Sequence, residues 1–248
     1  MKSGRKNVIG ILAHVDAGKT TCIESMLFHC GVIRKMGRVD NRDAALDTDP
    51  QERAHGITIY SKGASITWKD TEIFLIDTPG HVDFSQEMER ALSVIDMAVV
   101  LISGLDGVQA HTETIMNLLE QYKIPSVFFV NKMDIAQKGE EELLLQLENT
   151  FHNCIAWNRE DTLENAAVAN EAMMEEFLES GTVSEGRIAQ AFSQRLFFPV
   201  FFFSIFPNLR KVVFQINYSV MFREYPPGAY VCMYMYLAGA YGRMKKTD

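Results

Sequence analysis

The chain predicts a doubly wound α/β fold, a mostly parallel sheet with helices on both faces. Three observations carry the prediction. Apolar runs of strand length at 8–12, 97–102, 126–130 and 198–203 alternate with segments of helical periodicity. The two middle runs are apolar throughout, as strands buried on both faces are. Finally, the residues with chemical potential stand directly after these runs, where an open α/β sheet binds its ligands.

Composition bounds the reading. A chain of 248 residues holds one large or two small domains, and 47% hydrophobic with 23% charged residues describes an ordinary globular protein. The formal charge of −8 gives no general pull toward nucleic acid, so no direct sequence-specific nucleic-acid binding is expected. Cys22, Cys30, Cys154 and Cys232 form no C-x-x-C pair, which suits free thiols in a reducing cytosol. The apolar run after the basic N-terminus is too short for a signal-peptide core, and no run reaches the ~18 residues of a membrane span. A cytoplasmic protein is expected.

The first strand runs into A-H-V-D-A-G-K-T (13–20) and then a helical segment, 21–28. Strand, glycine turn, Lys-Thr and helix is the arrangement that grips a nucleoside triphosphate, because turn N–H groups and the positive helix end face the phosphates. Asp16, Ala17, Gly18, Lys19, Thr20 and Thr21 are the candidate contacts. Lys19 would reach the β- and γ-phosphates and the Thr20 hydroxyl would help hold Mg²⁺. The pattern G-x-x-x-x-G-K-[ST] fails only at its first glycine, here Ala13, where an alanine costs little if φ is not positive.

A polar stretch, 31–56, precedes the run 57–60. A loop this long in a compact domain is functional or a linker. Thr58 at its end is a second Mg²⁺ candidate, one that binds only while the γ-phosphate is present and so makes a switch. It could also be a plain β-favouring threonine. Runs 64–68 and 72–76 around Lys69-Asp70 predict an antiparallel hairpin.

D-T-P-G (77–80) closes the second hairpin strand. Asp77 could hold Mg²⁺ through its water shell, and the Gly80 N–H could sense the γ-phosphate. Alone it would be a strand-ending turn; after a phosphate loop it reads as functional. His81 could orient an attacking water, since phosphoryl transfer needs placement more than a strong base; a capping role before Asp83 is the alternative. A helix at 83–94 follows, with Phe84, Met88, Ala91 and Leu92 on one stripe.

Beyond the strand 97–102 come a helix at 112–122, stopped by Pro125, and the strand 126–130. N-K-M-D (131–134) follows. A carboxylate at Asp134 accepts two hydrogen bonds from guanine N1–H and its exocyclic amine. Adenine offers neither, so Asn131 and Asp134 select guanine, with Lys132 between them. Helices are predicted at 138–151, 163–178 and 183–196. Glu140, Glu141 and Glu142 suit the first turn of the helix they open. No zinc spacing links His14, His29, Cys22 and Cys30, and His152 with Cys154 are too few for a site.

The set A-H-V-D-A-G-K-T-T (13–21), R-A-H-G-I-T-I (53–59), D-T-P-G-H-V-D-F (77–84) and N-K-M-D (131–134) resembles the G domain of translational GTPases. Within them it is most similar to elongation factor G and the tetracycline-type ribosomal protection proteins. The resemblance covers roughly residues 6–204. It implies a P-loop NTPase fold, GTP/GDP and Mg²⁺ as cofactors, the ribosome as partner, and His81 as the catalytic residue positioned by that partner. Two features lean toward the protection proteins: R-V-D-N-R-D-A-A-L-D-T-D (38–49), and the 73 positions between Asn131 and Ser204.

The family closes its nucleotide site with a G-S-A turn. Here it reads Phe203-Ser204-Ile205, so Ser204 matches, while a bulky Ile205 stands at the base. From Ile205 onward six Lys/Arg face two Asp/Glu and six of the eight tyrosines occur, a break from the acidic region before it. We therefore expect a G domain at 1–204 and a divergent tail at 205–248, either a truncated or frame-shifted product or a short extension. Without the family's further domains, a nucleotide-binding remnant lacking stimulated turnover is the alternative function.

Overall fold

A computed structural model describes residues 5–34, 62–68, 71–79, 85–157 and 160–205. The run 57–60, Thr58, Gly80, His81, Asp83, Phe84 and the stretch from 206 onward lie outside the described residues.

Among the described residues seven strands make one sheet: β1 (Arg5–Ala13), β2 (Lys62–Trp68), β3 (Thr71–Asp77), β4 (Met97–Ser103), β5 (Ser126–Asn131), β6 (Cys154–Ala156) and β7 (Phe198–Phe202). Their order is β2-β3-β1-β4-β5-β7-β6, and only the β2–β3 pair is antiparallel. Among the described residues seven helices accompany it: α1 (Lys19–His29), α2 (Ser85–Leu92), α3 (Ala110–Gln121), α4 (Glu140–Phe151), α5 (Thr162–Ala167), α6 (Glu171–Ser180) and α7 (Glu185–Ser193). After β1 the chain pairs on one side with β3 and later on the other with β4. The crevice outside the carboxyl ends of β1 and β4 is therefore the point where the winding reverses, the place such sheets bind ligands.

The strands separate two cores. Val99, Leu101, Val127 and Phe129 face a cluster with Ile23, Met26 and Leu27 of α1 and Ile188 and Phe192 of α7. Their neighbours Ala98, Val100, Ile102, Phe128 and Val130 face Met88 of α2, Ile115 and Leu119 of α3, and Leu143 and Leu147 of α4. The side-chain period of two thus serves both faces, and every residue of β4 and β5 is buried. The hairpin alternates instead: Ile66, Ile73 and Leu75 point inward while Ser65, Thr67 and Glu72 are exposed. Its half-exposed Phe74 ring lies over Gly63, where a Cβ would sit 2.2 Å from the ring tip, so any larger residue would have to displace the ring.

Two segments differ from the sequence reading. The predicted helix at 163–178 is two, α5 and α6. Asn170 breaks it: its backbone is extended (φ −150°) and its side-chain oxygen accepts the Met173 N–H at 3.2 Å, a helix start in mid-pattern. β6 escaped prediction because three residues give no measurable period. It is held by Glu148, whose carboxylate accepts the Asn153 and Cys154 N–H groups at 3.1 and 2.6 Å. At the opposite end of β5, the Arg195 guanidinium donates to the Ile124 carbonyl and to Ser126 Oγ (3.2 Å) and covers the Phe198 ring at 5.2 Å.

Candidate nucleotide site

All described motif residues meet at the carboxyl end of the sheet. The loop from His14 to Gly18 turns β1 into α1. Asp16 and Gly18 take left-handed backbone (φ 63° and 94°), and a Cβ on Gly18 would lie 2.6 Å from Asn131 Nδ2, so this position requires glycine twice over. Ala13 takes no positive φ, in keeping with alanine replacing the usual first glycine. No side chain caps α1 and no acidic residue stands in its first turn, which leaves its N-terminal end suited to an anion. Thr20 and Thr21 are half-buried there.

Lys19 and Asp77 form a buried ion pair, Nζ to Oδ1 at 2.9 Å, with 7% and 0% exposure. Lys19 also donates to the Thr78 carbonyl, while the Thr78 hydroxyl donates to the Ile11 carbonyl at 2.9 Å and fixes the strand end. Apart from the ion pair, neither Asp77 oxygen accepts a hydrogen bond among the described residues. A fully buried carboxylate with lone pairs to spare suits a hydrated cation. Behind it, burial and the Asp77 charge push the Cys22 thiol up to about 12.

Asn131 is the hub of the other side of the cleft. Its Nδ2 donates to the Ala17 carbonyl (3.0 Å), its Oδ1 accepts the Ile205 N–H (3.1 Å), and its own carbonyl accepts the Gly104 N–H (2.7 Å). Ser204 Oγ accepts the Asp134 N–H at 2.8 Å, so the last strand end braces the loop that carries the Asp134 carboxylate. Lys132 takes left-handed backbone (φ 62°), and Asp134 is exposed. Gly18, Thr21, Asn131, Lys132, Asp134, Ile135 and Ile205 line a cleft of about 180 Å³. Ile205 is buried and forms part of its wall. A larger cavity, about 450 Å³ against α4, β6 and α5, contains none of the motif residues.

The sequence reading missed one participant, His14. Its Nε2 accepts the Ser103 N–H at 3.3 Å, and burial lowers its pKa below the ordinary histidine value. Among the described residues no group of three or more His, Cys, Asp or Glu side chains could hold a metal ion by itself. No helix there is long and apolar enough to cross a membrane. Cys22, Cys30 and Cys154 are free thiols.

Comparison with known proteins decides the family. A profile described as the elongation factor Tu GTP binding domain matches residues 5–219. The chain belongs to this family. It is thus a GTP-binding domain of the translation-factor type, and its sheet is the fold of that domain. The matched stretch extends past residue 204. Elongation factor G 2 of Borreliella burgdorferi is 47% identical over 143 residues, 58% of this chain and 21% of that protein. Tetracycline resistance protein TetO of Campylobacter jejuni is 34% identical over 240 residues, 89% of this chain and 38% of that protein. A crystal structure of a Thermus thermophilus protein superposes with a TM-score of 0.73 over 82% of this chain and 38% of its own, at 23% identity, and so shares the fold. The chain spans well under half the length of these relatives.

Proposed function

We propose that the chain binds GTP with Mg²⁺ and hydrolyses it to GDP and phosphate, as the G domain of a factor that works on the ribosome in the cytoplasm. The observation that carries the reading is the bond from Asn131 to Ala17. It joins the phosphate loop and the guanine-selecting loop around Gly18 into one surface. Asp134 would accept the guanine N1–H and exocyclic amine, and a base lacking them leaves the carboxylate unpaired. Lys19 would leave Asp77 for the β- and γ-phosphates, joined by the N–H groups of Gly18 to Thr21.

Thr20, Asp77 and Thr58 would hold Mg²⁺, for which the supporting observation is Asp77 Oδ2, buried and without a hydrogen bond among the described residues. The ion, when bound, neutralises charge on the β- and γ-phosphates. The Gly80 N–H would report the γ-phosphate, and His81 would orient the attacking water in line. Gly80, His81 and Thr58 enter from the sequence alone.

The TetO alignment crosses more of the chain, 89% against 58%, while elongation factor G is the more identical, 47% against 34%; the lean toward the ribosomal protection type rests on the 38–49 segment and the 73-position spacing in the sequence. We assign residues 1–204 to the G domain and 205–248 to a divergent tail.

Titration of the full chain with a fluorescent GTP analogue and Mg²⁺, with ATP as competitor, tests the reading. Micromolar or tighter binding that ATP does not displace supports it; no binding by a folded chain overturns it. His81→Ala should keep that affinity and lose ribosome-stimulated hydrolysis, and weakened binding would count against its catalytic role. Ile205 in the cleft wall favours a second reading, a nucleotide-binding remnant. GTP binding with no hydrolysis on ribosomes would establish it.

A further inference from the structure

We infer that His14 is a positioning residue of the phosphate loop, a neutral hydrogen-bond acceptor that fastens the start of the loop to the end of β4. The inference rests on GTP being the ligand of this site. The loop has two anchors. Its far side is held by Asn131, which takes the Ala17 carbonyl at 3.0 Å. Its near side is held by His14, whose Nε2 takes the Ser103 N–H at 3.3 Å while its carbonyl accepts the Ala17 N–H at 3.4 Å.

The need for a side chain at this point follows from the strand register. The β1–β4 ladder ends at the pair Ala13–Leu101, and Ser103 lies two residues further on, fully buried. Its N–H has no β1 backbone left to meet, and a buried amide requires a partner. The imidazole replaces the missing strand at the crevice where the winding of the sheet reverses.

Only the neutral ring can do this, because both nitrogens of an imidazolium are donors. The charged groups that face the ring are Asp16 within the loop, Asp106 in the turn after β4 and Lys132 after β5. Burial is the largest influence and lowers the pKa; it outweighs the hydrogen bond to the Val15 backbone and the two carboxylates, which favour the imidazolium, while Lys132 adds to the lowering, and the net direction favours the neutral ring. Protonation would set a donor against the Ser103 N–H and release the near anchor.

The test compares the full wild-type chain with His14→Gln and His14→Ala, by affinity for a fluorescent GTP analogue between pH 7.5 and 5.5. Gln offers an acceptor that does not titrate. At pH 7.5 His14→Gln should bind within about twofold of wild type, and His14→Ala about two- to tenfold more weakly, the range one hydrogen bond commands. As His14 protonates on acidification, a step followed by its own ring resonance, the wild type should weaken relative to His14→Gln. That ratio cancels titration of the terminal phosphate and of the other histidines. Wild-type affinity in His14→Ala, or a wild-type to His14→Gln affinity ratio that stays constant or rises while the His14 ring is seen to protonate, would overturn the inference; a rising ratio is what an imidazolium facing the phosphates would give. Should no variant bind GTP, the proposed function fails and the anchor is read from the Ser103 amide resonance. It should follow His14 titration in the wild type and stay still in His14→Gln; an unmoved Ser103 amide in the wild type overturns the anchor.

Discussion

Asn131 reaches from the end of β5 to the carbonyl of Ala17 in the phosphate loop, two positions 114 residues apart in the chain and 3.0 Å apart in space. With its Oδ1 taken by Ile205, this one buried amide couples three strand ends. Asn131→Ala would leave a buried carbonyl and a buried N–H without partners. A loss of roughly 2–3 kcal/mol is expected, together with weaker GTP binding. Urea unfolding of the two proteins measures the first effect, and an unchanged midpoint would show that the amide holds nothing in place.

Asp134 is braced through its backbone, by Ser204, so its side chain can be altered without disturbing the loop. Asp134→Asn replaces an acceptor with an amide that donates. Preference should move from guanine to a base with a carbonyl at the same edge, such as xanthine. Competition between GTP and XTP reads this directly, and a mutant that still prefers GTP by the wild-type margin would remove Asp134 from base selection.

The thiols should be slow. Burial pushes Cys22 and Cys30 up to about 12, and Cys154 is pushed up as well, with Glu148 adding to the burial. At pH 8 almost none of each is thiolate, and the thiolate is what reacts. Site-resolved mass spectrometry after brief iodoacetamide treatment should find these three unmodified in the native chain and modified in urea. Rapid native labelling of Cys22 would mean that α1 opens readily.

His14 gives stability a pH dependence whose sign is set by its lowered pKa. The unfolded ring titrates near 6.5 and the native ring below that. Between the two values the unfolded chain binds the extra proton. The contribution is therefore complete above about pH 6.5 and is lost as the pH falls toward the native value. Unfolding midpoints at pH 7.5 and 5.5 should fall further for the wild type than for His14→Gln; equal falls would refute the shift.

Arg195 ties the end of α7 to the start of β5 and is only partly exposed. Arg195→Ala should cost about 1–3 kcal/mol, from two lost hydrogen bonds and the uncovered Phe198 ring. The nucleotide site lies at the other end of the sheet. GTP affinity at saturating stability conditions should be unchanged, and a large drop would reveal coupling along β5.

The strand ends were legible because each motif is punctuated by the residue types its backbone needs. Gly18 stands where φ is 94°, and the apolar runs of β4 and β5 stop at the polar residues of the site. Three features were hidden for physical reasons. Asn170 reads as one more polar residue on a helix until its extended backbone is seen. β6 is shorter than any period. His14 offers no spacing partner, since what it serves is a backbone amide 89 residues away. Ile205 was read by its bulk, yet its N–H still supplies Asn131, because any residue type carries that donor.

The two cores share their strands, and this sets how the chain tolerates change. A substitution at Phe129 disturbs one cluster and leaves Phe128 in the other untouched. A one-residue insertion or deletion within β5 is different in kind. It exchanges the contents of both cores at once and rotates Asn131 away from Ala17 in the same step. Drift by replacement is thus buffered face by face, whereas drift in length within the central strands removes fold and nucleotide site together. Changes of length in the connections between strands leave both cores and the Asn131 contact in register.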